Sequence, residues 1–460
     1  MTCSLIDAAL APRRSVGRGD DAAPRYAGQA GTRGAAQAIA TFNERSSKRM
    51  HNETEPTDLR DPAPPLLPAA RIENDAQALQ AAHEVARVAR EEAALRDRER
   101  KLPWRELELF TRLGLGGIGI PRAYGGAQVS HVTLAEVFRL ICAADPALGQ
   151  IPQNHFGILN VIDNVASEAQ KRVLFGGVLG GRRIGNAGPE RNTRHTLDVR
   201  ARVVSSPDGY RVSGEKFYST GALFAHWVAV KALDEQDRAV MVFVERGALG
   251  LRILDDWSGF GQRTTASGTV LLDDVPVAPD MLIHNGRLAE VPNIQGAVSQ
   301  LIQAAIDAGI AQAAVDDTIA FVRERARPWV DAGVERAADE LYTIAEVGRL
   351  RIELHAANAL LERAGRVLDE VVAGPVDDDA AARASIAVAE AKVLTTEISL
   401  LASEKLFELS GSRATLADFN LDRHWRNARV HTLHDPVRWK YHAVGHYHLN
   451  GARPARHSWI

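Results

Sequence analysis

The hydrophobic period of this chain changes twice, from helical to alternating near residue 184 and back to helical after residue 291. Ala78, Leu79, Ala82, Val85, Ala86 and Val88 form one apolar face among charges, which predicts a helix between Ala70 and Arg100. Trp104–Leu113, Val132–Ala143 and Glu168–Leu179 read the same way, and Asp145-Pro146 caps a further helix that carries His155. From Ile184 to Ile283 the pattern predicts strands at Asp198–Val204, Tyr210–Phe217, Trp227–Lys231, Ala239–Glu245, Leu251–Leu254 and Gly268–Pro276. Val298, Leu301, Ile302, Ala305, Ile306 and Ile310 then step at helical spacing, as do Ile344 to Leu368 and Ile386 to Phe407. Long amphipathic helices with short breaks predict a bundle. The expected fold class is α+β: an N-terminal helical domain at 67–181, an antiparallel β-barrel or sandwich at 182–290, and a helical bundle at 291–460. Residues 1–66 are rich in Ala, Arg, Gly, Pro and Asp without a sustained period and are expected to be disordered, with Met50 an alternative start.

Composition excludes several classes. A formal net charge of −3 advertises no nucleic-acid partner. Two cysteines, Cys3 and Cys142, make no framework and fit a reducing compartment, so a cytoplasmic location is expected. No apolar run is long enough for a membrane span, and Leu5–Leu10 with Asp7 inside it is not an export signal.

Chemistry concentrates at Gly214-Glu215-Lys216-Phe217-Tyr218-Ser219-Thr220-Gly221-Ala222. An aromatic face, a hydroxyl and a glycine turn within four residues suit a planar cofactor, although a strand end followed by an ordinary turn reads equally from these residues. Gly114-Leu115-Gly116-Gly117-Ile118-Gly119 satisfies GxGxxG, but a helix precedes it and Pro121 follows, so it is read as a helix-end turn and not a dinucleotide site. His155 lies among Phe156, Ile158 and Leu159, where a lone histidine is more often a satisfied core residue. His431, His434, His442, His446 and His448 invite a metal reading, which is rejected because no cysteine or HExxH pattern supplies a ligand set. Asp435, just before Pro436, is expected to cap the helix that follows.

Gly-x-Lys-x-aromatic-x-Thr at 214–220 resembles the flavin-side strand motif of the acyl-CoA dehydrogenase superfamily. The words of the helix-end turn, through Pro121, Tyr124, Gly125 and Gly126, and the closing strand Leu271–Val277 are similar to that superfamily as well. The resemblance spans Ala70 to Asn450, with departures. Gly221 stands where Asn is usual, and no Glu base lies in Arg429–Pro436, where His434 aligns instead. Arg327-Pro328-Trp329, Asp255-Asp256-Trp257, Asp422–Asn427 and His431–Pro436 resemble the flavin-dependent monooxygenase branch, which contains dibenzothiophene monooxygenase and sulfur-acquisition oxidoreductases.

That resemblance implies a flavin monooxygenase using FMN reduced by a separate NAD(P)H:flavin reductase, with O₂ and a small organosulfur compound as substrates and a homotetramer as the assembly. It implies a C4a-hydroperoxyflavin as the oxygenating species. Carried over by position, Asn186, Ala187 and Gly188 open a lid loop beside the flavin. Tyr218, Ser219, Thr220 and Trp257 line the isoalloxazine, and Arg327, Ser412 and Arg413 take the phosphate, for which the arginine fork is suited. His155, Thr220 and His434 are the implied catalytic residues, His434 also touching the cofactor. The alternatives are an acyl-CoA dehydrogenase with FAD and a displaced base, and a non-catalytic flavin-binding protein.

Overall fold

The computed structural model describes residues 62–195 and 197–460. The expectation of disorder over 1–66 falls almost wholly outside the described residues, as do Met50 and Cys3.

Helix α1 (Asp75–Glu99) starts where the Asn74 side chain accepts the Gln77 N–H and ends at Arg100, whose φ of 54° stops the helix. Its buried face, including Ala78, Ala82, Val85 and Ala89, is narrow enough to pack closely on α3 (His131–Ala144). α2 (Trp104–Arg112) follows α1 directly. The buried Arg96 guanidinium pairs with Glu106 at 2.9 Å and with Asp145 at 2.9 Å, which joins α1 to α2 and to the cap of α4 (Pro146–Gln150). A second oxygen of Asp145 accepts the N–H groups of Ala147 and Leu148. α5 (Gln153–Val165) and α6 (Glu168–Leu179), the latter opened by a Ser167–Gln170 capping box, complete this layer. Gly114 has φ 81°, and a Cβ there would lie 2.1 Å from the Ala70 carbonyl oxygen, so the GxGxxG run is a close-packed helix-end turn.

Eight strands follow: β1 (Ile184–Ala187), β2 (Arg202–Ser206), β3 (Gly209–Lys216), β4 (Trp227–Leu233), β5 (Ala239–Glu245), β6 (Leu251–Ile253), β7 (Val270–Val277) and β8 (Leu282–Ile283). Their order is β6-β7-β3-β2-β4-β5-β8, with β1 on β4. The sheet is mixed, which corrects the expected all-antiparallel arrangement. Gly185–Ala187, read from sequence as the start of a loop running to His195, belong with Ile184 to a strand parallel to Trp227–Val230. Four residues containing Gly185 and Asn186 carry no alternating signal, so only pairing with β4 makes them a strand.

The C-terminal third holds α7 (Gln295–Glu324), α8 (Leu341–Val372), α9 (Asp378–Ser410), α10 (Asp422–His431) and α11 (Arg438–Asn450). α7 is buried nearly all round because α9, α3, α8 and α5 surround it. Asp435 does not cap α11; it forms a buried ion pair with Lys440 at 2.9 Å. Among the described residues no helix is long and apolar enough to cross a membrane, and no group of three or more His, Cys, Asp or Glu converges as metal ligands.

Candidate functional site

The turn after β3 brings most of the predicted group together. Lys216 is fully buried, and its ammonium donates to Glu190 at 2.6 Å and to the Gly188 carbonyl at 3.2 Å. Glu190 in turn accepts the N–H groups of Arg200 and Ala201, so the motif lysine anchors both ends of the 188–200 loop. The backbone then reverses at Tyr218, whose φ of 58° is unusual for a bulky residue and leaves its ring 53% exposed. Asn186 donates its backbone N–H to the Thr220 carbonyl at 3.1 Å and its side-chain amide to the Tyr218 carbonyl at 3.4 Å. Gly185 and Gly221 make this approach possible. A Cβ on Gly185 would lie 2.5 Å from the Ala222 Cα, and Gly221 has φ 82° with its open side 3.0 Å from the Ile151 carbonyl oxygen.

The Thr220 hydroxyl bonds to Ser267 at 2.6 Å, and Ser267 bonds to Thr265 at 2.8 Å. Thr265 donates to the Gln262 carbonyl, which also accepts the Trp257 indole N–H at 2.9 Å. The Trp257 ring lies 6.2 Å from that of Tyr218. Gln262 and Ala266, like Tyr218, have positive φ, at 49° and 47°. Three non-glycine residues held this way around one threonine mark a site whose surroundings over-determine it.

Helix α10 forms the facing wall. Asn427 accepts the Gln262 N–H at 2.7 Å, and His431 sits one turn further along the same face. His431 Nδ1 donates to Asp307 at 2.5 Å, while Lys392 donates to the other oxygen of Asp307 at 2.6 Å. Burial opposes ionisation of Asp307, but Lys392 and His431 outweigh it and hold the carboxyl well below the usual carboxylate range. His434 Nδ1 lies 2.7 Å from the His431 carbonyl, which only accepts, so Nδ1 carries the proton. Its Nε2 therefore carries the lone pair, which accepts from the Gln150 amide at 3.0 Å. Burial, reinforced by His431, lowers the His434 pKa to about 4 and keeps the ring neutral. Gln150 precedes Ile151, which brings His434 to the Gly221 side of the turn.

His155 is buried and held by backbone groups on two segments. Its Nε2 donates to the Gly116 carbonyl at 2.9 Å and its Nδ1 accepts the Ile184 N–H at 3.1 Å, so both nitrogens are occupied by backbone. Burial lowers its pKa to about 4. It pins the start of β1 to the Gly116 turn. Arg327, Ser412 and Arg413 are exposed at the far end of the bundle, where Arg413 donates to the Arg325 carbonyl at 3.5 Å. No hydrogen bond, ion pair or ring contact joins them to the Tyr218–Thr220 group among the described residues. From Asp307 to the end of α7 the helical rise alone is about 25 Å.

Gln262, Ser267 and Gln150 were not singled out in the sequence, and Asn427 only as the last residue of the Asp422–Asn427 motif. A signal existed for the first two: the run Gly261–Gly268 joins two strands like an ordinary polar connector, yet it has Thr-Thr-Ala-Ser where turn formers are usual. Gln262, Thr264, Thr265 and Ser267 are all buried. The Gln262 side-chain amide, Ser219 Oγ, Gln150 Oε1 and His431 Nε2 are buried without a hydrogen-bond partner. A group of unpaired donors and acceptors beside Thr220 is the complement of a polar-edged ring system.

The family models for the acyl-CoA dehydrogenase N-terminal domain and the acyl-CoA dehydrogenase C-terminal domain match residues 73–182 and 301–439. Dibenzothiophene monooxygenase of Rhodococcus erythropolis is 32% identical over 378 residues, covering 79% of this chain and 90% of that protein. The chain belongs to the acyl-CoA dehydrogenase superfamily, in its flavin-dependent monooxygenase branch. A second member of this branch, the probable FMNH2-dependent monooxygenase SfnC of Pseudomonas putida, is 31% identical over 82% of this chain and 96% of its own. The crystal structure of FMN-bound TdsC from Paenibacillus sp. A11-2 superposes with a TM-score of 0.79 at 30% identity, covering 84% of this chain and all of that one. The acyl-CoA dehydrogenase fold thus holds from the N-terminal helices through the mixed sheet to the C-terminal bundle.

Proposed function

We propose that this chain is the oxygenase of a two-component system, which uses FMNH₂ to insert one atom of O₂ into an organosulfur compound. The observation that carries this reading is the buried cluster of unpaired polar atoms at Ser219, Gln262, Gln150 and His431 around Thr220, walled by His434 where a dehydrogenase has its carboxylate base. FMN fits these residues: Tyr218 and Trp257 offer ring faces, while Ser219, Thr220 and Gln262 offer hydrogen-bond partners for its polar edge, beside Asn186–Gly188. When bound in reduced form, FMN supplies the two electrons with which O₂ yields one oxygen atom to sulfur and one to water.

The remaining work belongs to the protein. His434 Nε2 carries the ring's lone pair, fixed there by the Nδ1 contact to the His431 carbonyl, and accepts a proton or hydrogen bond in the site when the Gln150 amide gives it up. The 188–195 loop excludes water: the Arg191 guanidinium lies 3.3 Å from the Phe217 ring centroid and 3.7 Å from Asp256. Arg327, Ser412 and Arg413, too distant within one chain, bind the FMN phosphate from a second copy in a homotetramer. With no dinucleotide fingerprint, electrons come from a separate NAD(P)H:flavin reductase.

The test combines purified protein with a flavin reductase, FMN, NADH and a panel of thioethers, sulfones, sulfinates and thiophenes. Oxygenated product is expected. Tightly bound FAD, or flavin reduction by an acyl-CoA, would overturn the assignment in favour of a dehydrogenase. Arg327→Ala and Arg413→Ala should each weaken FMN binding about ten- to hundredfold, as loss of a charge-assisted contact worth roughly 1.5–3 kcal/mol does.

A further inference from the structure

A cavity of about 410 Å³ lies between the sheet and the bundle. Leu197 from the 188–200 loop, Lys231 on β4, Asn285, Ser385 on α9, His457 and Trp459 line it. It adjoins the cofactor residues. A Cβ on Gly188 would lie 3.1 Å from Asn186 Oδ1 on one side and 3.3 Å from the Lys231 side chain on the other. From its edge a row of polar side chains runs inward along one face of α7 at steps of four: Gln295, Ser299, Gln303 and Asp307. Ser299 accepts the Gln153 amide at 3.0 Å, Gln303 Oε1 is buried without a partner, and Asp307 is the residue that holds His431. Apart from Gln300, which donates to the Ser458 carbonyl at 2.9 Å, the rest of this stretch of α7 is packed with alanine, valine, isoleucine and leucine, so the row links the cavity edge to Asp307 by polar side chains one turn apart.

The cations of the cavity are not equivalent. Arg453 is committed to Asp378 and Asp379, and Arg456 to Asp378 and the Ala289 carbonyl. The Lys231 ammonium has neither hydrogen bond nor ion pair among the described residues. Burial pulls its ammonium below the usual lysine range with nothing to offset the loss of solvent. A partly buried cation opening into a cavity without a counter-charge is the complement of an anion.

We propose that this cavity is the acceptor chamber and that Lys231 selects a sulfinate, whose sulfur still has a lone pair to take an oxygen atom and leave as sulfonate, over a neutral thioether, sulfone or thiophene; a sulfonate is its non-reacting mimic. The proposal rests on the oxygenase reading for the identity of the ligand as acceptor, but the anion site itself is measurable without turnover. The probes are methanesulfonate and benzenesulfonate, against dimethyl sulfone as a neutral match, titrated into the full-length protein by calorimetry and by fluorescence of the cavity's Trp459. Sulfonate should bind and sulfone should bind at least tenfold more weakly. Lys231→Met should lower sulfonate affinity ten- to hundredfold and leave sulfone unchanged, and Lys231→Arg should restore most of the loss. In turnover with a sulfinate, Lys231→Met should raise KM by a similar factor with kcat largely retained.

Equal sulfonate affinity in wild type and a folded Lys231→Met variant would overturn the proposal, and so would preference for the sulfone. Sulfonate binding through Lys231 without oxygenation of any sulfur compound would leave the site standing and remove the oxygenase reading. Oxygenation of thioethers unaffected by Lys231→Met, with no sulfonate binding, would do the reverse.

Discussion

His434 shows how a single side chain's role is set by its two contacts. Its Nδ1 proton is spent on the His431 carbonyl, so the reactive end is Nε2, held by Gln150. His434→Ala is expected to leave the fold intact and most FMN binding in place, while oxygenated product falls about 10²–10⁴-fold and O₂ is released as H₂O₂. Undiminished product from the variant would remove His434 from the mechanism. Protonation of the same ring bears on stability. Burial lowers the pKa of His155, His226 and His434 from 6.5 to about 4. The unfolded chain therefore binds more protons between those two values. Stability is fully present above about pH 6.5 and is lost as pH falls toward about 4, by on the order of 3 kcal/mol per histidine. Melting curves from pH 7.5 to 4.5 should be flat at first and then fall steadily. A melting temperature that does not change over this range would mean these rings are solvated in the folded protein.

Among the elements, β1 is the one the site depends on most. It is four residues long, its register is held by β4, and its approach to the Thr220 turn leaves no room for a side chain at Gly185. Gly185→Ala should cost about 1–3 kcal/mol of stability and displace Asn186. Thermal melting and FMN fluorescence titration should both register it, and a variant with wild-type FMN affinity would show that β1 is not a wall of the cofactor site. α7, α9 and α10 are joined by Asp307, Lys392 and His431, all essentially inaccessible to solvent. Asp307→Ala leaves Lys392 buried without its counter-charge and should cost roughly 3–5 kcal/mol. Adding Lys392→Met should recover part of that loss in urea unfolding, a non-additivity expected of directly paired residues. Simple additivity would mean the pair does not form.

At the scale of the molecule, one face of the bundle lacks cover. Leu341, Ile344 and Ile352 on α8 are 74%, 55% and 71% exposed, and they follow one side of the helix with Gly348 between them. A second copy packed there would bury them and bring Arg327, Ser412 and Arg413 toward another chain's flavin. Sedimentation or light scattering is expected to give a tetramer at micromolar concentration, and Ile344→Glu with Ile352→Glu should reduce the mass and weaken FMN binding together. A monomeric wild-type mass would refute the assembly, and with it the source assigned to the phosphate contacts.

The order of helical, β and helical segments was legible along the chain because burial of one face writes a period of 3.6 or 2 into residue type. The motif Gly214–Gly221 was legible because it is local: one strand end supplies Lys216, Tyr218 and Thr220 within five residues. What tertiary structure decided is everything that depends on a second segment. Gly185–Ala187 became a strand only against β4, and Gln262 and Ser267 became site residues only when Asn427 and Thr220 met them. His155 joins two backbone groups, 39 residues upstream and 29 downstream, which no local pattern around it foretells. Lys231 is one polar residue in an apolar strand by sequence, and its ammonium is left without a partner among the described residues because a cavity lined by α7, α9 and the C-terminal segment lies over it. Periodicity records how much of a residue is buried; which atoms it is buried against follows from the packing of segments far apart in the chain.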